Sequence, residues 1–343
     1  MHIHTLIIGA GPGGLACARL LARQGIQTLV LERKKVIGPK VCAGGITWSG
    51  LISRVPKIIA EKSFPKQHIC TPWQKVCIQE KVPIIATVNR EKLGQYMAGQ
   101  AMESGAELRT GVVVRQILDG AVLVQNKDDT TQEKITFDYL VGADGSSSLV
   151  RRFLGLKSKQ LGIGINYQVP GDAAKMEWHL SNHLFGNGYA WIFPHTDTVS
   201  IGAYAARKTM SPGRLKKSLL KWAKLQNFNL EKQSAKAEYI NYDFQGWHFG
   251  RIFLIGDAAG LASGLTGEGI YPAIISGEHV AQTIINPNHN SKTMDALIRN
   301  HDRHSKMIQI SAKSGILNSV LAELVTLGLR SGMIKFRKLE MAV

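Results

Sequence analysis

The sequence predicts an α/β protein: a Rossmann-like parallel sheet, interrupted by an inserted antiparallel-sheet domain and closed by C-terminal helices. Three observations carry that reading. The chain opens on an apolar strand, a helical pattern and a second apolar strand, the unit from which parallel sheets are built. Three glycine clusters, Gly9-Ala10-Gly11-Pro12-Gly13-Gly14, Gly142-Ala143-Asp144-Gly145 and Gly256-Asp257-Ala258-Ala259-Gly260, each follow an apolar run. Between about 160 and 245 the texture changes to alternating strand-like runs rich in aromatic residues.

Taken in order, Thr5-Leu6-Ile7-Ile8 leads into the first cluster, which has the spacing G-x-G-x-x-G and opens a helix over 12–24. Bare glycines there let the backbone approach a pyrophosphate at a helix N-terminus. The next strand, 27–32, ends on Glu32, 18 residues past Gly14, where a carboxylate accepts hydrogen bonds from an adenosine ribose. Strand, glycine turn, helix, strand and acid in this order specify a dinucleotide site far more narrowly than glycines alone. Residues 38–50 are glycine-rich and break every period. Segment 64–88, with Val76, Ile78, Val82, Ile84 and Ile85 between prolines, reads as short strands. Asn89 is the cap of a helix that runs through Leu93, Met97 and Ala101 and stops at Gly105. Asp119-Gly120 between strands 112–117 and 121–124 is a hairpin signal, and Tyr139-Leu140-Val141 delivers the chain to the second cluster. Ser211-Pro212 opens the one helix of the antiparallel region. Ile252-Phe253-Leu254-Ile255 then returns the chain to the nucleotide domain, which is therefore discontinuous. The expected division is 1–62, 89–160 and 248–288 for that domain, 63–88 and 161–247 for the inserted one, and 289–343 for a helical C-terminal region.

The 343 residues, 44% hydrophobic and 20% charged, suit two packed globular domains and exclude a fibrous or disordered chain. An excess of 42 Lys+Arg over 25 Asp+Glu gives +17, which favours phosphorylated substrates, acidic lipid surfaces or nucleic acid without choosing among them. No apolar run reaches the roughly 18 residues of a membrane span. The start, Met1-His2-Ile3-His4, lacks a basic region, so a cytoplasmic protein is expected. Cys17, Cys42, Cys70 and Cys77 form no C-x-x-C pair and are expected to be reduced. His179 and His183 lie in a turn-prone segment with no carboxylate in ligand spacing, so no metal site is expected, and His195 reads as a loop histidine.

Further motifs narrow the reading: Glu32-Arg33, Lys40-Val41-Cys42-Ala43-Gly44-Gly45-Ile46, Gly188-Tyr189-Ala190-Trp191-Ile192-Phe193-Pro194 and Thr266-Gly267-Glu268-Gly269-Ile270. With the three clusters, they make the chain resemble, from residue 4 to about 285, the aromatic-hydroxylase-like flavoprotein superfamily and, within it, the geranylgeranyl reductase family. The resemblance implies one non-covalent FAD. Gly9, Gly11, Pro12, Gly13, Gly14, Glu32 and Arg33 match the fingerprint of that cofactor, and Asp144 and Gly145 the Asp-Gly motif. Arg90 matches an arginine set against the flavin nucleotide, and Val114 a backbone that meets the adenine. Gly256 and Asp257 match the ribityl-binding motif. Gly267, Gly269 and Ile270 match the segment along the isoalloxazine edge, and Cys42, Ala43 and Gly45 the cysteine-and-glycine stretch beside the ring. By residue type alone Asp257 is equally a helix cap, Arg90 a surface arginine, Val114 and Cys42 core residues, and Tyr189 and Trp191 part of a core strand.

The activity implied is reduction of isolated C=C bonds in an isoprenoid lipid or prenyl chain. Cys42, Tyr189 and Trp191 are the candidate catalytic residues. With no second nucleotide fingerprint, the electron donor would be a transient NAD(P)H or a ferredoxin-like protein. Two alternatives stand beside this: a flavin-dependent monooxygenase or halogenase, whose W-x-W-x-I-P pattern fits the aromatic strand less well, and a non-catalytic flavin-binding electron carrier or regulator at a membrane. After about 290 no family motif is recognisable, and the chain is shorter than typical members. The basic amphipathic helix after Pro212, with Leu215, Leu219, Trp222 and Ala223 on one face, suits docking on the protein body. So does the apolar spacing of Ile316, Leu317, Val320, Leu321, Leu324 and Val325. Peripheral contact with an anionic membrane is the reading that the resemblance adds for both. No nucleic-acid partner is expected.

Overall fold

The computed structural model describes residues 1–52 and 54–342. β1 (His2–Ile8), α1 (Pro12–Arg23) and β2 (Thr28–Glu32) form the expected unit, with β1 and β2 parallel. Pro12 starts α1 because the first turn has no use for its missing amide hydrogen, and the buried Leu15, Cys17, Ala18 and Leu21 give the helix its inner face. Residues 38–50 carry β3 (Gly45–Thr47) and α2 (Trp48–Ile52), too short to leave a period in the sequence. β4 (Ala60–Phe64), β5 (Lys66–Cys70), β6 (Lys75–Gln79) and β7 (Ile85–Val88) follow; β3, β7 and β4 make a small sheet of their own, in that order. Asn89 caps α3 (Arg90–Glu103) by accepting the amides of Glu91 at 2.9 Å and Lys92 at 3.1 Å. β8 (Glu107–Thr110), β9 (Val112–Leu118), β10 (Ala121–Asn126) and β11 (Gln132–Gly142) then lead to the short α4 (Leu149–Phe153).

The inserted region comprises β12 (Leu161–Pro170), β13 (Glu177–His179), α5 (Asn182–Phe185), β14 (Tyr189–Pro194), β15 (Thr198–Ala206), α6 (Pro212–Leu225) and β16 (Lys236–Asn241). The chain returns through β17 (His248–Phe249), β18 (Ile252–Leu254) and α7 (Gly256–Ala259), and ends in α8 (Ile270–Ile285), α9 (Lys292–Ser311) and α10 (Gly315–Arg330). Two large sheets result. The eight-stranded one runs β17, β18, β11, β1, β2, β8, with β10 paired to β11 and β9 to β10, so its parallel centre joins three distant pieces of chain. The seven-stranded one runs β16, β12, β15, β14, β13, β5, β6. All strands of the inserted sheet pair antiparallel except β13 with β5.

α6 spends its apolar stripe on this second sheet. Leu215, Leu219, Trp222 and Ala223 are buried with Ile165, Tyr167 and Ile201. Each buried leucine there is worth about 1.5–3 kcal/mol, which a lipid contact would have to forgo. The membrane reading of α6 is thereby corrected: Leu215, Leu219, Trp222 and Ala223 belong to the core, while its lysines face solvent. α10 differs, leaving Ile316, Val320, Leu324 and Leu327 exposed. No described helix is long and apolar enough to cross a membrane.

Candidate functional site

The first glycine cluster lies where β1 enters α1, but its glycines serve different ends. A Cβ on Gly9, at φ +105°, would lie 2.4 Å from the Ala143 oxygen, and one on Gly14 would lie 2.1 Å from the Gly9 oxygen. On Gly13 it would strike the Ala273 oxygen of α8 at 2.6 Å. Gly11 alone has open space, its nearest neighbour being the Ala143 oxygen at 4.0 Å. Three glycines are therefore demanded by packing within the protein, and Gly11 gives a ligand its close approach. That amends the expectation of four bare glycines beneath a pyrophosphate.

A cavity of about 430 Å³ opens there, lined by Gly9, Gly11, Pro12, Glu32, Arg33, Arg90, Val114, Asp144 and Gly145. The amides of Ala10 and Lys34, each 2.9 Å away, fix the Glu32 carboxylate at the end of β2. Arg33 lies exposed on the rim. The Asp144 Oδ2 accepts the Leu149 amide at 2.5 Å and so anchors α4, while Oδ1 is buried without a protein partner. Burial outweighs those hydrogen bonds and pushes the carboxyl above its ordinary pKa.

Arg90, the first residue of α3, borders both this cavity and a second of about 190 Å³. Its Nε is buried without a partner. Gly13, Gly14, Cys42, Ala43, Gly45, Gly256, Asp257, Gly267, Gly269 and Ile270 all line the second chamber, so the expected flavin-edge residues converge. Asp257 lies within the first turn of α7 but its carboxylate turns away from the helix: Oδ2 meets the Lys40 Nζ at 3.2 Å and the Ser146 Oγ at 3.0 Å. The reading of Asp257 as a cap is not what the structure shows. Gly269 begins α8 and brings no side chain to the first-turn amides, leaving the positive end of that helix toward the chamber.

Two residues that hold this geometry escaped the sequence reading. Arg151, fully buried, donates to the carbonyls of Ala258 at 3.2 Å, Ala259 at 3.1 Å and Asp243 at 2.7 Å, and so clamps the third glycine cluster to α4. Nothing in the pattern separates it from the exposed Arg152 beside it. His195 lies in the loop between β14 and β15, as expected, but is buried there, with Nδ1 2.5 Å from the Glu61 Oε2 and Nε2 3.0 Å from the Ala43 oxygen. With Asn166, whose Nδ2 donates to the Cys42 carbonyl at 3.1 Å, it holds the cysteine loop against the inserted sheet. The Cys42 thiol stays in the chamber, accepting only the Gly44 amide at 3.4 Å.

Tyr189, Trp191 and Phe193 alternate onto one face of β14 and pack with Trp178, whose ring lies 5.1 Å from Tyr189 and 4.8 Å from Phe193. Their polar ends are turned aside. The Trp191 Nε1 donates to the Ser200 Oγ at 3.0 Å, the Tyr189 hydroxyl donates to the Thr266 carbonyl, and burial drives that phenol's pKa upward. The strand therefore forms a largely apolar wall. Beyond it lies a third cavity of about 290 Å³, bounded by Ile69, Leu180, Leu321, Val325, Leu329 and Phe336, which shares Trp178, Tyr189, Thr266 and Glu268 with the chamber. α10 and the following turn thus supply a far wall from the part of the chain that showed no motif.

Glu268, at this junction, was also missed; an acid between two glycines was the available signal. Burial, with the Glu340 carboxylate nearby, pushes its pKa up to about 8. Its Oε2 accepts the Met341 amide at 2.7 Å and the Thr266 hydroxyl at 3.2 Å. The sequence reading of His179 also needs correction. It lies on β13, not in a turn, and its Nε2 is 2.8 Å from the Glu177 Oε2.

The residues present fit FAD. A carboxylate at each end, Glu32 and Asp257, suits sugar hydroxyls, the unpartnered Arg90 Nε offers a donor between them, and Gly11 opens the backbone where the two cavities meet. Comparison with known proteins agrees. The family profile described as FAD binding domain matches residues 2–287. An uncharacterized protein of Methanosarcina barkeri is 30% identical over 290 residues, covering 82% of this chain and 74% of its own. The chloroplastic geranylgeranyl diphosphate reductase of Oryza sativa is 27% identical over 328 residues, covering 85% and 68%. Among solved structures, a geranylgeranyl bacteriochlorophyll reductase-like protein of Thermoplasma acidophilum superposes with a TM-score of 0.82 at 21% identity, over 98% of this chain and 94% of its own. The flavin-dependent brominase Bmp2 superposes at 0.68 and 17% identity, over 99% and 96%, and shares the fold. On the extent of the profile match and the geometry of the two nucleotide cavities, the chain belongs to the FAD binding domain family of flavoproteins, with the geranylgeranyl reductases among its relatives.

Proposed function

We propose that the protein reduces isolated C=C bonds in the prenyl chain of an isoprenoid lipid. The observation that carries this is the apolar cavity behind Tyr189, which shares Trp178, Tyr189, Thr266 and Glu268 with the chamber beside Cys42 and is walled by aromatic side chains. Bound FAD, reduced by NAD(P)H or a ferredoxin-like protein, supplies the hydride. Glu32, Arg90 and Asp257 hold the cofactor, and Lys40 neutralises Asp257. Tyr189, Trp178 and Phe193 grip the alkene and exclude water, which matters because an unactivated alkene has no carbonyl to polarise.

Reduction also needs a proton. Glu268 borders both cavities, is protonated at neutral pH, and has Oε2 engaged by Met341 and Thr266, which leaves Oε1 to deliver it. Cys42 positions the alkene at the mouth of the slot. α10 separates the apolar cavity from the outside, with Leu321 and Val325 lining the cavity and Ile316, Val320 and Leu324 exposed. We assign to that outer stripe a peripheral contact with lipid, through which an insoluble chain would reach the cavity.

The test is anaerobic. Photoreduced protein is mixed with a geranylgeranyl lipid, and return of the oxidised flavin spectrum together with a product two hydrogens heavier supports the proposal. Reoxidation by O₂ alone with an oxygenated or halogenated product would move the protein to the monooxygenases or halogenases, and a reduced flavin that no alkene reoxidises would leave it an electron carrier.

A further inference from the structure

The outer face of the inserted sheet carries a cluster that neither the flavin nor the apolar cavity uses. β13 pairs in parallel with β5, which places Glu177 in register with His68 and His179 with Cys70. Strand side chains alternate, so these four share the face opposite Trp178, which lines the cavity. The Cys70 thiol, the Glu177 carboxylate and the His179 imidazole each offer one ligand atom, all within 4.8 Å of one another. The three side chains are partly buried, and the His179 ring is steadied edge-on by Trp222 of α6 at 4.9 Å.

We propose that Cys70, Glu177 and His179 form a binding site for a divalent transition cation of the zinc class. Sulfur, nitrogen and carboxylate oxygen are the ligand types that zinc takes, at about 2.0–2.3 Å, in three-ligand sites with one open position. Those bond lengths set ligand atoms roughly 3.3–3.8 Å apart in a tetrahedron, so closure opens the 2.8 Å hydrogen bond between His179 and Glu177 and draws in any separation near the 4.8 Å limit. His68 is next in line for the open position. It faces Glu177 across the strands. On binding, the Cys70 thiol releases its proton to solvent and the thiolate takes the metal. Trp178 lies between two of the ligands in sequence, so a bound cation would pin the strand that forms one wall of the apolar cavity.

The experiment uses the FAD-loaded protein, stripped with a chelator, dialysed against zinc and assayed for zinc and flavin together. One zinc per chain is expected. Cys70→Ser and His179→Ala should each lower zinc affinity by more than the roughly 10–100-fold that a merely supporting residue costs, with flavin content unchanged. Cobalt(II) offered to the protein with its flavin reduced gives a readout needing no variant, since a sulfur-to-cobalt charge-transfer band reports thiolate ligation. Equal zinc uptake by wild type and both variants, or cobalt bound without that band, would overturn the site. Neither result bears on alkene reduction, because the cluster shares no residue with the flavin chamber.

Discussion

Asp257 was open to two compatible readings in the sequence, helix cap and sugar ligand; in the structure its carboxylate faces Lys40 and Ser146 in the chamber, not the amides of its own helix, and the sugar contact is the role proposed for it. Asp257→Ala should therefore weaken FAD binding by about 1–3 kcal/mol, the scale of lost charge-assisted hydrogen bonds, as read by titrating apoprotein with FAD. Cys42→Ala should leave FAD content and reduction by the donor unchanged while slowing alkene-dependent reoxidation, with Cys42→Ser between; a wild-type rate in the alanine variant returns Cys42 to packing. Glu268 adds a pH dependence. As an acid pushed to about 8, it should lose its proton, and the enzyme its alkene step, as pH rises through that value, and Glu268→Gln should be slow throughout. Its effect on stability has the same direction. The unfolded chain gives up this proton near the ordinary 4.5 and the folded one near 8, so its contribution falls as pH rises between the two and should flatten in Glu268→Gln, measured by denaturant unfolding. His279 and His304, held down to about 4 by burial, act oppositely, removing stability as pH falls from 6.5 toward 4.

Among the helices, α6 and α10 looked alike in sequence, each an apolar stripe beside lysines and arginines. They part company in burial, because α6 lies across β15 and β12 while α10 covers a cavity and leaves Ile316, Val320 and Leu324 exposed on its outer side. Leu324→Glu, on that outer side, should abolish flotation with anionic lipid vesicles while leaving flavin occupancy intact; flotation equal to wild type would remove α10 from any membrane role. Periodicity reports only that a helix has an apolar face, and what covers the face is decided by long-range topology. The same limit explains what was and was not legible. Asn89 and the Asp119-Gly120 turn act through near neighbours and read correctly. Arg151, His195 and Glu268 act across roughly 70 to 150 residues, largely through carbonyls and amides that carry no sequence signature.

For the molecule as a whole, the feature with the widest consequence is the order of the parallel sheet, in which β1 pairs with β11 and β11 with β18. The strand nearest the start of the chain finds β2 at once but waits for residue 132 before its second partner exists, and the third glycine cluster arrives only after residue 255. Contacts of such long sequence separation form slowly and late, and chains of this size fold through partly built states with exposed strand edges. During synthesis, then, the flavin has no complete pocket until roughly three-quarters of the chain has left the ribosome, whatever the supply of cofactor. Stalled chains ending at residue 250 should retain no FAD on gel filtration, whereas chains stalled beyond α8 should retain it. For production in a foreign host, the critical interval is the time that the nascent first half spends without its partners, so slower translation at lower temperature should raise the yield of yellow protein more than added riboflavin does.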